Sequence, residues 1–210
     1  MINKKPVVAS KPRASKKVHR GPKYKICVSG AAATGHCPKE AFIWAEAIGR
    51  EVAKRGCVLL TGATTGIPYF AAKGAKAEGG EVIGFSPAAS RAAHVKTYRL
   101  PTDFHDLIFY TTTDYATRDL LLMRFSDGIV TICGRTGSLN EFTVGFDDET
   151  PMAVMEGSGG TADLIREILE KVHQSSGNLF YESDPVKVVD ELIRRIDEKE
   201  EKSGGKNISL

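Results

Sequence analysis

The chain has 210 residues and a mass of 22.7 kDa, with 41% hydrophobic and 26% charged side chains. That suits one full-sized domain able to bury its own core without a covalent staple, and it excludes fibrous and wholly disordered classes. The net charge of +3 belongs to one end: nine of the 29 basic residues fall in the first 25 positions, leaving 20 against 26 acidic ones beyond. A mildly acidic body gives no electrostatic footprint for nucleic acid, so such contact is confined to a weak one through the tail.

Positions 1–22, basic and punctuated by Pro6, Pro12 and Pro22, lack apolar periodicity and read as a disordered tail. No segment has the apolar core of a signal peptide, and none is long and apolar enough to span a bilayer, which points to the cytoplasm. Cys27, Cys37, Cys57 and Cys133 form no CxxC pair and no regular framework, and Cys27 and Cys57 sit in or beside strand-like runs. The expectation is four reduced thiols.

From residue 24 onward, short apolar runs at 24–29, 58–61, 81–85, 107–110, 128–132 and 152–155 read as strands. Helical patterns lie between and after them. The first, 38–55, opens on Pro38 and repeats Phe42, Ala45, Ile48 and Val52 at helical spacing. The second, 68–78, is Ala-rich and stops at Gly79-Gly80. Further helices follow at 114–125, 138–147, 161–173 and 185–196, the last with Asp184 as its N-cap. Residues 86–106 form one long connection, read as a lid or partly ordered loop. Residues 199–210 are taken as a flexible end, frayed from 202, which leaves 23–198 as a single domain.

Alternating β and α units with strands apolar throughout imply a mostly parallel sheet covered by helices on both faces. This is an α/β, doubly wound, Rossmann-like fold. Ligands of such sheets sit beyond the carboxyl ends of the strands. Here those ends lead into the loops at 30–35, 62–66, 86–87, 111–115, 134–137 and 156–160.

At one of these corners the run SDGIVTICGRTGSLNEF passes from strand to Gly-rich turn to helix. Helix-start N–H groups around Gly134, Thr136, Gly137 and Ser138 suit an anion, and the two hydroxyls add donors. Glu141 lies three residues after Ser138, so SLNE is equally a capping box. A second glycine turn with Gly62, Thr64, Thr65 and Gly66, and Gly30 after the first strand, either line a ligand or make tight strand–helix corners. His36, His94, His105 and His173 show no ligand spacing and read as surface or packing residues, so no metal site is expected.

The pattern R-x8-DGIVTICGRTGSLNE resembles the signature of the LOG family, a PGGxGTxxE motif preceded by an Arg; here 23 residues separate Arg118 from Glu141. KICVSGAAATG, LLTGATTGIPYFAAKGA and GGEVIGFSP are similar to that family's first strand and loop, second glycine turn and third strand, so the resemblance covers about 24–196. The family comprises cytokinin-activating phosphoribohydrolases and proteins labelled lysine decarboxylase-like; no lysine here stands in a context suited to a pyridoxal Schiff base.

The resemblance implies a nucleoside 5′-monophosphate, AMP-like, with its phosphate on Gly134, Arg135, Thr136, Gly137 and Ser138. Glu141 and Arg118 would be catalytic, with Glu141 facing the anomeric carbon and Arg118 keeping it ionised. No cofactor would be required, and a homodimer is implied. Cys133 stands at the family's Pro, Arg135 at its second Gly, and Asp119 where its enzymes often have Lys. Arg118 also has a purely structural option, pairing with Asp114 at i−4. A second reading therefore stays open, a nucleotide- or molybdenum-cofactor-binding carrier of the same fold. An NAD-linked oxidoreductase does not fit, since SGAAATG lacks GxGxxG and no acid ends the second strand.

Overall fold

The computed structural model describes residues 24–204. The expected basic tail and residues 205–210 of the expected flexible end lie outside them. Strand β1 (Lys25–Gly30) leads to α1 (Lys39–Lys54), β2 (Val58–Thr61) to α2 (Ile67–Ala77), and β3 (Val82–Ser86) to α3 (Arg91–Lys96). Then come β4 (Leu107–Tyr110), α4 (Tyr115–Arg124), β5 (Gly128–Ile132), α5 (Thr136–Asp147), β6 (Met152–Met155), α6 (Gly160–Lys171), β7 (Leu179–Glu182) and α7 (Pro185–Gly204).

The seven strands form one sheet in the order β4-β3-β2-β1-β5-β6-β7, and every pairing is parallel. The α/β Rossmann-like expectation is thus realised. The chain winds outward from β1 through β4, then returns to β1's other side as β5, so the switch point of the sheet lies between β1 and β5. Their register pairs Ser29 with Thr131 and Gly30 with Ile132, so the two carboxyl ends are level.

Both faces are covered because the inner strands carry no polar side. β2, β5 and β6 are buried at every residue. On one face Ile26, Val28, Leu59 and Val130 pack with Ile48 and Val52 of α1, Ala71 and Ala75 of α2 and Leu192 of α7. On the other, Cys27, Leu60, Ile129 and Val154 meet Leu122 of α4, Phe142 of α5 and Ile165 of α6. Helices α1 and α2 approach through glycines. A Cβ on Gly49 would lie 1.9 Å from Ala71 O, and one on Gly74 would lie 2.0 Å from Glu46 O.

Two elements were absent from the sequence reading, and one ran longer. The 86–106 connection is ordered: Ser90 caps α3 by accepting from Ala93 N, and buried His94 holds it in place. His94 Nε2–H donates to Pro101 O at 2.9 Å, so its Nδ1 accepts from Ser86 Oγ at 2.8 Å. Edge strand β7, half-buried throughout, adds to β6. Helix α7 continues past Ile196 to Gly204, where Asp197 and Glu200 accept from Tyr24 Oη at 2.6 and 3.0 Å and Lys199 Nζ donates to Glu149 O at 2.8 Å.

Candidate functional site

A cavity of ≈ 400 Å³ opens at the β1/β5 switch point, large enough for a small-molecule ligand. Its floor and one wall contain Glu141, Arg118, Gly30, Gly62 and Thr64; Arg135, Thr136, Gly137 and Ser138 line the side made by α5. Three expected residues do not line it. Gly134 lies beneath the turn at φ +99°, where a Cβ would meet Ser138 Cβ at 2.7 Å. Gly66 turns the β2–α2 corner at φ +71°, within 2.2 Å of Ala31 O for any added Cβ, and Thr65 Oγ1 faces outward to Ala32 O at 3.2 Å. At both glycines the positive φ and the crowding meet the needs of a tight strand–helix corner.

The start of α5 is an uncapped amide cluster. Arg135 is its N-cap without a side-chain bond, and the first helical hydrogen bond in from the end is Leu139 N–H to Arg135 O at 3.0 Å. The amides of Thr136, Gly137 and Ser138 precede it and border the cavity. A Cβ on Gly137 would meet nothing within 4 Å, so space lies open beside it. The turn is braced from below: Thr161 Oγ1 donates to Arg135 O at 2.9 Å, Ser158 Oγ accepts from Cys133 N at 2.8 Å, and Ala162 N donates to Cys133 O at 2.7 Å. Arg135 is exposed at the mouth and makes no ion pair among the described residues.

Glu141 is not a capping residue. It is only 7% exposed, and its carboxylate accepts a short hydrogen bond from Ser29 Oγ at the end of β1. Burial, then the negative charge of Asp119, push its pKa up to about 7 against the opposing pull of Arg118. The expectation that Arg118 keeps Glu141 ionised therefore needs correction. Asp119, 4% exposed in the same cavity, stands with Oδ1 3.1 Å from Arg118 Nε and offsets that guanidinium. Burial also raises Asp119's own pKa.

Arg118 is 5% exposed and does not pair with Asp114, which instead caps α4 by accepting from Thr117 N at 2.7 Å. Its Nη1 donates to Phe85 O at 3.3 Å and its guanidinium lies 5.6 Å from the Tyr115 ring. Despite their proximity, Arg118 Nε and Asp119 Oδ1 are both buried without a hydrogen bond. Buried polar atoms left in that state are costly.

Ser29, Asp119 and Tyr115 were missed by the sequence reading. The carboxyl-end rule pointed toward Ser29, whereas Asp119 was visible only as a departure from a motif. The expectation of four thiols also fails. Cys37 and Cys133 form a disulfide across 96 positions, and buried Cys27 and Cys57 lie outside it. His36 joins them, so that one ligand atom from each of the three lies within 4.8 Å of the others, though the two sulfurs are already bonded to one another.

A family model described as the SLOG cluster4 family matches residues 23–189. The chain belongs to that family. This SLOG protein is 26% identical over 132 residues to an uncharacterised protein of Archaeoglobus fulgidus, covering 63% of the chain and 82% of the relative. Among solved structures, the molybdenum cofactor carrier protein of Chlamydomonas reinhardtii superposes with a TM-score of 0.68 at 22% identity, over 83% of this chain and 99% of the other. The molybdenum cofactor binding protein of Rippkaea orientalis gives 0.66 at 25% identity, over 85% and 99%. No helix among the described residues is long and apolar enough to cross a membrane.

Proposed function

We propose that this SLOG protein is a cytoplasmic hydrolase that binds a nucleoside 5′-monophosphate at the switch point and cleaves its N-glycosidic bond. The observation that carries the reading is Glu141, a buried carboxyl held at the cavity floor with its pKa near neutrality. A group at that value exchanges protons efficiently at physiological pH. The phosphate takes the Thr136, Gly137 and Ser138 amides with Arg135 closing over it, and the sugar extends toward Glu141. In its ionised form Glu141 stabilises the oxocarbenium-like state and accepts a proton from the attacking water. The water oxygen joins the anomeric carbon as the bond to nitrogen breaks, the departing nitrogen takes up a proton as Glu141 gives its own back to solvent, and ribose 5-phosphate and a free base result.

A second reading, a carrier that binds without turnover, is favoured by Asp119, which offsets the charge of Arg118 inside the cavity. The related proteins named for the molybdenum cofactor add to it. The two separate in one experiment. Purified protein is incubated with AMP, an N6-substituted AMP and a pterin cofactor, with thermal shift read beside chromatography for released base. Base released from a monophosphate is the expected result. A shift without product supports the carrier, and neither shift nor product overturns both.

We also propose a homodimer that covers Phe109 and Phe125, which are 47% and 54% exposed next to Phe85. Sedimentation of the wild-type chain gives twice the monomer mass, and Phe125→Glu returns it to monomer. A monomeric wild type removes this assignment.

A further inference from the structure

The β1–α1 loop and the turn before α5 are joined by Cys37–Cys133, and the surroundings of the two sulfurs are unequal. Cys133 is fully buried at φ +55°, immediately before Gly134, whereas Cys37 is partly accessible. Exposed His36 lies with Nε2 3.5 Å from Cys133 Sγ, 4.0 Å from Cys37 Sγ and 3.0 Å from Gly134 O. A carbonyl oxygen only accepts, so Nε2 carries the hydrogen, and that hydrogen is within reach of the buried sulfur. The opening of α6 lies on the other side of this sulfur, close enough that a Cβ on Gly160 would stand 3.0 Å from Cys133 Sγ.

We propose that Cys37–Cys133 is a thiol–disulfide exchange site that takes low-molecular-weight thiols, with Cys37 the attacked sulfur, Cys133 the leaving sulfur and His36 the proton donor. Exchange needs access at the attacked atom and stabilisation at the departing one, and these conditions fall on different cysteines. An external thiolate forms a sulfur–sulfur bond to Cys37 as the Cys37–Cys133 bond breaks. The electron pair of that bond stays on Cys133, which takes the Nε2 proton from the imidazolium form of His36, and the neutral imidazole left behind regains a proton from solvent. A second thiolate then attacks the external sulfur and releases Cys37 as a thiolate. In sum, two thiols are oxidised to their disulfide and two electrons reduce the protein. Helix-start dipoles beside Cys133 favour the departing anion.

Covalent coupling also ties the exchange to the turn that carries Thr136, Gly137 and Ser138. Reduction removes the bond between that turn and the β1–α1 loop, leaving His36 to Gly134 O and the α6 contacts as its braces.

The oxidised full chain is treated with glutathione, quenched with N-ethylmaleimide and mapped by peptide mass spectrometry. Glutathione is expected on Cys37 and not on Cys133, with Cys27 and Cys57 unmodified. His36→Gln slows the reduction by about tenfold at neutral pH, as removal of a proton donor requires, and leaves the pH dependence to follow ionisation of the external thiol alone. After reduction, amide hydrogen exchange over 134–138 is expected to rise at least severalfold while that of β2 stays constant. Glutathione appearing on Cys133 as fast as on Cys37, a rate indifferent to His36→Gln, or unchanged protection at 134–138 would each overturn the assignment. So would free thiols at both positions in protein purified without reductant. Cys133→Ser provides a second reading, because glutathione disulfide should then modify Cys37 alone.

Discussion

Replacing Glu141 with glutamine is expected to lower base release from a nucleoside monophosphate by on the order of 10² or more. The same change should raise stability above pH 7. Both effects come from one property. Glutamine keeps the size of the side chain and an oxygen that accepts from Ser29 Oγ, so the floor of the cavity is preserved. What disappears is the ionisation. A water attacking the anomeric carbon then has no carboxylate to take its proton, and the cationic state loses its neighbouring charge.

The sign of the stability effect follows from proton linkage. Glu141 has a folded-state pKa near 7 against an ordinary value of 4.5, so the folded chain holds its proton more tightly than the unfolded one. The stability from that proton is fully present below pH 4.5 and is lost as pH rises through about 7. Above this window the wild-type fold carries an ionised buried carboxyl at a cost of about 3 kcal/mol, an order-of-magnitude figure, which Glu141→Gln avoids. Melting temperatures of the two proteins should therefore nearly coincide at pH 4 and separate in favour of the variant at pH 8. Wild-type turnover should rise with pH through the same region. Full activity in the variant would remove Glu141 from the chemistry, and a gain in melting temperature equal at both pH values would remove the buried ionisation.

Much of this arrangement was legible in the chain. The runs at 58–61, 107–110, 128–132 and 152–155 coincide with β2, β4, β5 and β6, because each is apolar and set off by turn residues. Strand β7 escaped notice since LFYE is a half-buried edge with no alternation to mark it, and α3 is too short for a helical period to register. Within the site, the glycine turn and its carboxylate were recognisable as a local pattern, and Arg118 by its distance along the chain. Relations between strands were not. Ser29 meets Glu141 only because β1 and β5 run side by side in that register, and Cys37 finds Cys133 for the same reason. The charge state of Glu141 was misjudged because Arg118 was weighed alone. Burial and the adjacent Asp119 dominate, and neither can be weighed until the fold brings them into one cavity.

Gly62→Ala is the second large effect, and it should act through a residue distant in sequence. A Cβ at position 62 would stand 2.0 Å from Arg118 Nη1 and 3.1 Å from its Cζ. The obstructed atom is the end of a flexible side chain, so the backbone stays while the guanidinium moves. In moving it gives up Phe85 O and its place beside Asp119 Oδ1, leaving a buried carboxyl without a counter-charge. Loss of one charge-assisted contact to the ligand corresponds to about 1.5–3 kcal/mol, roughly a 10- to 100-fold fall in kcat/KM. A broken buried ion pair also costs about 3–5 kcal/mol of stability. Gly137→Ala supplies the contrast. Its Cβ meets nothing within 4 Å and lies inside the first turn of α5, so the fold should hold or gain slightly. Any loss of AMP binding in that variant then reports on the space a phosphate would fill. The result that would overturn the role of Arg118 is Gly62→Ala with wild-type kcat/KM and an unchanged melting temperature. If instead Gly62→Ala loses stability but keeps its affinity for AMP, Arg118 braces the cavity without touching what it holds.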